Sequence, residues 1–252
     1  MKIASWNVNS LKIRQNQVLS FLEKENPDIL VLQEIKQTDD AVNIEEFKNN
    51  NWNIELFGQK TYNGVAIISK YQINNPLRGI KNYSDSQSRF ISAEIENTLI
   101  ICVYVPNGQE VACEKYFYKL AWLENFANYL ADLRKTYPRI AILGDFNIAP
   151  ADIDIYAAEK WQGKILCSDA ERAAMQKIFD LGFYDSFRRE NPDAREFSWW
   201  DYRAAAFQKN LGVRIDLALV SDGINAKNCR ICREYRGLER PSDHAPIWLE
   251  IE

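Results

Sequence analysis

Short apolar runs punctuate this chain, and amphipathic stripes fill the gaps between them. In the first half the runs are 2-KIASWNV-8, 29-ILVLQE-34, 64-GVAIIS-69, 90-FISAEI-95 and 99-LIICVYV-105. In the second half they are 140-IAILGDF-146, 196-EFSWW-200, 215-IDLALVS-221 and 246-PIWLEI-251. Several are apolar almost throughout, as strands covered on both faces must be, while others alternate. Helical spacing runs over residues 13–25, where Val18, Phe21 and Leu22 share one side and the pattern stops before Pro27. A second stripe over 114–136 carries Phe117, Leu120, Leu123, Ala127, Leu130 and Leu133, halting before Pro138. Ser168 followed by Glu171 forms a capping box ahead of a third helix, with Gly182 just past its end. Strands lead into helices in some places and directly into strands in others. Two packed mixed sheets with helices on their outer faces would bury every stripe, so the reading is one α/β domain over residues 1–252.

Composition agrees with that picture and narrows it. Apolar residues make up 46% of the 252 positions and charged residues 26%, which describes a chain that can bury a core. The opening MKIASWNVNS is too polar for the apolar part of a signal peptide, and 99-LIICVYV-105 is far short of the ~20 residues a spanning helix needs. A cytoplasmic protein is expected. The five cysteines are an odd count and are expected to be reduced; Cys229 and Cys232 form a C-x-x-C with no second pair or histidine to complete a zinc site. The net charge of −4 argues mildly against a nucleic-acid partner, although a local basic cluster can override the total.

The chemistry is concentrated where the apolar runs finish. Asn7 and Asn9 close the first, Glu34 the second, Tyr104 and Asn107 the fifth, and Asp145 and Asn147 the sixth. Arg214 and Asp216 open the eighth, and Asp243 precedes the only histidine, His244, ahead of the ninth. Each residue alone reads as a turn or a solvated end. Asp216, inside VRIDLALV, is harder to explain that way, because a carboxylate there is desolvated unless something pairs with it.

Together these types match metal-assisted phosphoester hydrolysis. Glu34 and Asp243 are hard oxygen ligands for Mg²⁺, and Asp145 beside Asn147 is suited to activate water. A His244 imidazolium held charged by Asp216 would stabilise the developing phosphoryl charge. Rival chemistries lack parts: no G-x-x-x-x-G-K-[ST], G-x-G-x-x-G or G-x-S-x-G occurs.

WNVNS, LQE, YNGVAIIS, VYVPNG, GDFNIAP, SWWDYR, RIDLALVS and SDHAP occur in order along the chain. The set resembles the endonuclease/exonuclease/phosphatase superfamily, and within it exonuclease III and the class II apurinic/apyrimidinic endonucleases. The resemblance implies a four-layered α/β sandwich with its site at the top of two facing sheets. It implies a monomeric Mg²⁺ enzyme, with Mn²⁺ able to substitute, acting on double-stranded DNA at abasic sites and 3′ ends. The activities implied are 5′ incision at abasic sites and removal of 3′ nucleotides, 3′ phosphates and other 3′ blocking groups, with the balance left open. By the same resemblance Glu34 is the principal metal ligand with Asn9 and Asp243 nearby. Asn7 orients the catalytic aspartate, and Asn7, Asp145 and Asn147 complete the expected metal surroundings. Tyr104 contacts the scissile phosphate or leaving group, and Asn107 contacts DNA. Trp199, Val213 and Ile215 line a pocket for a flipped abasic sugar, and Val213 stands where relatives carry tryptophan or leucine. Arg203, with Arg188, Arg189, Lys209 and Arg214, is expected to grip the DNA backbone. Two rivals are a phosphatase for inositol phosphates or phospholipid head groups and a catalytically silent DNA-binding protein on the same fold.

Overall fold

Two six-stranded mixed sheets pack face to face in the computed structural model, which describes residues 1–252. In chain order the strands are β1 (Lys2–Asn7), β2 (Ile29–Gln33), β3 (Asn53–Phe57), β4 (Val65–Ser69), β5 (Asn74–Arg78) and β6 (Phe90–Ile95). They continue as β7 (Thr98–Tyr104), β8 (Ile140–Asp145), β9 (Phe183–Asp185), β10 (Asp216–Ser221), β11 (Ala226–Ile231) and β12 (Ile247–Ile251). The first sheet runs β11-β12-β1-β2-β4-β3 and the second β5-β6-β7-β8-β10-β9. Helices α1 (Leu11–Glu25) and α2 (Ile44–Lys48) cover the first sheet. Helices α3 (Glu114–Leu133), the short α4 (Ala158–Trp161), α5 (Asp169–Asp180) and α6 (Ser186–Glu190) follow, and α3 and α5 cover the second sheet.

The central layer explains the apolar runs. Ile3, Val31 and Ile67 of one sheet meet Ala93, Cys102, Leu143 and Ala218 of the other, all with no exposed surface. The opposite faces of the same strands pack on the helices: Trp6, Leu30 and Ala66 against Phe21 and Val18, Ile101 and Ile142 against Leu123 and Phe126. Strands β1, β2, β7 and β8 are therefore buried on both sides. The four-layered α/β sandwich follows from that burial. No helix is long and apolar enough to cross a membrane.

Helix ends follow local chemistry. Helix α1 closes at Asn26 in the left-handed conformation (φ 51°), immediately before Pro27. Ser168 Oγ accepts from the Glu171 amide and Glu171 reaches back to the Ser168 amide, completing the capping box of α5. The stripe of α3 is rotated from the expected one. Tyr116, Lys119, Trp122, Leu123, Phe126, Ala127 and Leu130 face inward, whereas Phe117 is 60% exposed. Trp122 and Phe126, with the larger area to bury, set the rotation.

The run 196-EFSWW-200 is not a strand. Trp199 makes only isolated bridges, to Val213 and to His244, inside a loop. Strands β3, β5, β9 and β11 are additions to the eight expected runs that do form strands. All five cysteines are free; Cys229 and Cys232 are buried, and burial pushes the Cys232 thiol up to about 12 and the Cys229 thiol well above its ordinary value.

Candidate active site

Register alone brings the polar strand ends together. β1 and β2 are parallel with Asn7 opposite Gln33, so Asn7 and Glu34 leave the sheet at the same edge. β7 and β8 are parallel with Tyr104 opposite Asp145, and β10 runs antiparallel with Asp216 opposite Asp145. β12 is antiparallel to β1, so the segment before it, carrying Asp243 and His244, returns to the end of β1. Ser242 fixes that return: its hydroxyl donates to the Asn7 carbonyl (2.7 Å) and accepts from the His244 amide (3.2 Å). The Trp6 indole adds a bond to the His244 carbonyl at 3.2 Å.

Gly144 is what lets Asp145 reach this edge. A Cβ there would lie 1.9 Å from the Val103 carbonyl oxygen, so any side chain would separate β7 from β8.

At the centre, the Asn7 amide donates to Glu34 Oε1 and to Asp145 Oδ2, each at 2.9 Å. Asp145 Oδ1 accepts from the Asn147 amide at 2.8 Å. His244 stands on the far side, with Nε2 3.7 Å from Asp145 Oδ2 and Nδ1 2.9 Å from Asp216 Oδ2. The backbone amides of Ile215 and Asp216 both donate to Ser198 Oγ, which ties the Trp199 loop to the start of β10.

Burial and charge act in opposite directions here. Burial of Asp145, helped by Asp216 and Glu34 and resisted by His244, raises its pKa to about 7. Burial would depress the His244 imidazolium, but Asp216 and then Asp145 outweigh it and raise its pKa to about 10. His244 is therefore an imidazolium at neutral pH and not a metal ligand. Burial, with Glu34 and Asp145, holds the Tyr104 phenol well above its usual value, so it remains a proton donor. The Arg89 guanidinium stacks 4.7 Å from that ring.

The donor set fits a hard cation. One oxygen each from Glu34 and Asp145 lie within 4.8 Å of one another, with a ring nitrogen of the His244 imidazolium equally near to balance their charge. The Lys36 ammonium sits 2.7 Å from Glu34 Oε2 and 2.6 Å from Asn9 Oδ1, so a positive charge already occupies the position these oxygens create.

Three members of the expected ligand set carry hydrogen bonds of their own. Asn7 Oδ1 accepts from the Asn9 backbone amide (3.0 Å) while its NH₂ bridges the Glu34 and Asp145 carboxylates and so orients both. Asn147 is fully committed, its oxygen to Asn107 Nδ2 (2.8 Å) and its NH₂ to the Val105 carbonyl (3.0 Å). Asp243 has both oxygens engaged, Oδ1 by Asn9 Nδ2 (2.9 Å) and Oδ2 by the Trp199 indole (3.0 Å), and it lies outside the Glu34–Asp145 cluster.

The DNA-contact expectations divide similarly. Val213 and Ile215 are 0% and 2% exposed, packed against Ile155, Leu166 and Cys167, so they form core beneath the half-buried Trp199 and not an open pocket wall. Arg214 is corrected as well. It is 1% exposed and paired with Asp154 and Asp185 at 2.7 Å, which makes it a structural cation with no reach to a phosphate. Arg188 is bound to the same Asp154. Arg203, Arg189 and Lys209 are exposed, and Asn107 is exposed at the rim of a cleft of about 600 Å³ that Arg89, Tyr104 and Lys115 also line.

Four residues of the site escaped the sequence reading: Lys36, Arg14, Ser242 and Lys119. Arg14 did leave a signal. It shares the buried face of α1 with Leu11 and Val18, and its guanidinium is bound by the Asn9, Pro241 and Arg240 carbonyls and the Tyr202 hydroxyl.

The profile of the Endonuclease/Exonuclease/phosphatase family matches residues 4–244. The chain is 38% identical to exodeoxyribonuclease III of Haemophilus influenzae, with all of both sequences covered. It is 35% identical to an exodeoxyribonuclease of Bacillus subtilis, covering 100% of this chain and 99% of that one. Among solved structures it is similar to the 3′ phosphatase NExo from Neisseria bound to a product DNA hairpin, with TM-score 0.99, 42% identity and coverage of 100% and 99%. An AP endonuclease from Archaeoglobus fulgidus is similar with TM-score 0.95 and 33% identity, covering 100% of this chain and 99% of that one.

Proposed function

Because the chain belongs to the endonuclease/exonuclease/phosphatase family, we propose that it is a divalent-metal-dependent DNA repair phosphodiesterase of the exonuclease III type. Its substrates are duplex DNA with a blocked or recessed 3′ end and duplex DNA with an abasic site. The observation that carries the proposal is the buried Asp145 carboxylate, held between the Asn7 amide and the His244 imidazolium with Glu34 alongside. The named relatives act on DNA, which favours DNA over an inositol phosphate or lipid head group. The retained carboxylates and imidazolium weigh against a silent binding protein.

Glu34, with Asp145 and Asn9 beside it, would hold the ion; Mg²⁺ is the proposed metal and Mn²⁺ its substitute. When bound, the ion supplies Lewis-acid polarisation of the phosphoryl oxygens and charge for the leaving oxygen. Asp145 orients the attacking water and takes its proton, and Asn7 keeps that carboxylate aimed. His244 donates Nε2–H to a phosphoryl oxygen, and Asp216 keeps the imidazole protonated as negative charge builds. Tyr104 donates its phenolic hydrogen to the same phosphate. Asn107 and Arg89 receive the strand along the cleft they line, and Arg203 reaches the duplex backbone.

The closed packing of Val213 and Ile215 under Trp199 favours 3′-end processing, because a flipped sugar would have to open that core. We further take the protein to be a cytoplasmic monomer; its five free thiols suit a reducing compartment. End-labelled duplexes bearing a 3′ phosphate, a recessed 3′ hydroxyl or an internal abasic site test the ranking. Phosphate release should be fastest; hydrolysis of none of the three, with turnover of a soluble phosphomonoester instead, would overturn the proposal.

A further inference from the structure

Lys119 has no exposed surface, and neither does Glu171, which binds it. It occupies the buried stripe of α3 between Tyr116 and Trp122, where an apolar side chain would serve packing alone. An ammonium has three donors, and here all three are used by different segments. One goes to the Asn107 carbonyl after β7 (3.1 Å), one to the Asn147 carbonyl after β8 (2.7 Å), and one to Glu171 Oε1 in the first turn of α5. Glu171 is itself saturated: Oε1 also accepts from the Leu166 amide (3.1 Å), and Oε2 from the Ser168 amide (3.0 Å) and hydroxyl (2.7 Å). Burial lowers the Lys119 pKa and Glu171 opposes it, as a desolvated pair requires.

The two carbonyls belong to the residues whose amides are joined beside Asp145, Asn107 Nδ2 to Asn147 Oδ1 at 2.8 Å. Asn147 has φ 50°, a left-handed conformation that a side chain tolerates only when its surroundings hold it. Gly108 (φ 88°) lets the neighbouring loop close onto the lysine, since a Cβ there would lie 3.0 Å from Lys119 Cδ and 2.8 Å from Ile165 Cδ1.

We propose that Lys119 is a positioning residue for phosphoester hydrolysis: its buried ammonium fixes the backbone at Asn107 and Asn147 so that Asn147 holds Asp145 in its reactive orientation. The inference rests on the assignment of Asp145 and Asn147 to the reaction made above. The bland alternative is that the pair only staples α3 to α5.

The test removes both charges while keeping the helix cap, in Lys119→Met with Glu171→Gln. Replacing a buried ion pair by a neutral one is often tolerated, whereas breaking it is not. The variant should melt within a few degrees of wild type. Its kcat on a 3′-phosphate duplex at saturating Mg²⁺ should fall about a hundredfold with KM changed by less than about threefold, the pattern of a misplaced reacting group. Introduced into an Asp145→Asn background, it should add little further loss, because it acts by orienting that carboxylate through the Asn147 backbone amide. Lys119→Arg is the second probe: it keeps the charge, but a planar guanidinium does not reproduce the three-way donor set, so turnover should fall at near-constant KM. Near-wild-type turnover in either variant, or a fully additive loss with Asp145→Asn, overturns the inference while the site assignment survives. If Asp145→Asn itself turns over like wild type, the assignment fails and the inference with it.

Discussion

Replacing Asp216 by asparagine isolates the electrostatic half of the site. The carboxamide oxygen of the Asp216→Asn variant can still accept from His244 Nδ1 at the position where Asp216 Oδ2 now lies 2.9 Å away, so shape is kept and one negative charge is lost. That charge is the first of three that hold the buried imidazolium up at about 10 against desolvation; Asp145, 3.7 Å from Nε2, and the more weakly acting Asp243 remain. If His244 falls back to its ordinary value of about 6.5, the imidazolium fraction at pH 8 drops from about 99% to about 3%, roughly thirtyfold. Asp145 moves the same way, because Asp216 is one of the groups raising it. Both limbs of the kcat/KM profile should therefore shift to lower pH. The assay is phosphate release from a 3′-phosphate duplex at saturating Mg²⁺, with kcat/KM followed from about pH 5.5 to about 10.5, where it reports the free enzyme's groups. The deficit at pH 8 should be about thirtyfold or more and should shrink to below about threefold near pH 6, as the imidazole reprotonates. A deficit of the same size at every pH would show that Asp216 does not act through the charge of His244.

Other substitutions probe neighbouring parts. Asp145→Asn should lower kcat by about a thousandfold or more, the range seen when a group acting on the transition state is removed. It should also raise the melting temperature in metal-free buffer. The folded carboxyl keeps its proton to about 7, well above its ordinary value of 3.8, so its charge opposes folding above that window. The gain should be largest above pH 7 and vanish below about pH 4; a melting temperature lowered at pH 8 would contradict the raised pKa. Arg203→Ala should weaken duplex binding and reduce the salt slope by about one, with stability unchanged. Arg214→Leu should leave the salt slope alone and cost about 3–5 kcal/mol of stability, because Asp154 and Asp185 lose their buried partner. Chemical denaturation beside a salt titration of DNA affinity separates the two arginines, and a reduced slope for Arg214→Leu would restore its expected contact with DNA.

Much of the fold was legible because two facing sheets, each covered by helices, force their central strands to be apolar on both faces. ILVLQ of β2 and IAILGD of β8 are buried at every position. The strands that escaped notice lie at or next to sheet edges or are very short. NNPLR of β5 is almost wholly exposed and contains a proline, and β9 has three residues. FSWW misled in the other direction, since its aromatics pack on the core from a loop. In the site, Glu34, Asp145, Asp216 and His244 were readable because each is a charged or titratable group abutting an apolar run. The hydrogen-bond committal of Asn7, Asn147 and Asp243 was not readable, because whether an amide faces a carboxylate or a cation depends on neighbours far away in the sequence. Arg214 deceived for a related reason: a basic residue near a strand end reads as exposed until Asp154 and Asp185 are seen to enclose it. Lys119 had left a clue, a lysine at a core position of a helical stripe whose register was misjudged by one residue.

The convergence of Glu34 and Asp145 on one cation-fitting point beside His244 is tested most directly by adding Mg²⁺ back to EDTA-treated protein. The measurement is the rate of 3′-phosphate release by wild type and Glu34→Gln as the ion is titrated. Wild type should be inactive without the ion and recover on titration, while Glu34→Gln should need at least about tenfold more Mg²⁺ to reach half its own maximum. Release that persists in excess EDTA, or identical titration curves for the two proteins, would contradict a metal-assisted reaction centred on Glu34.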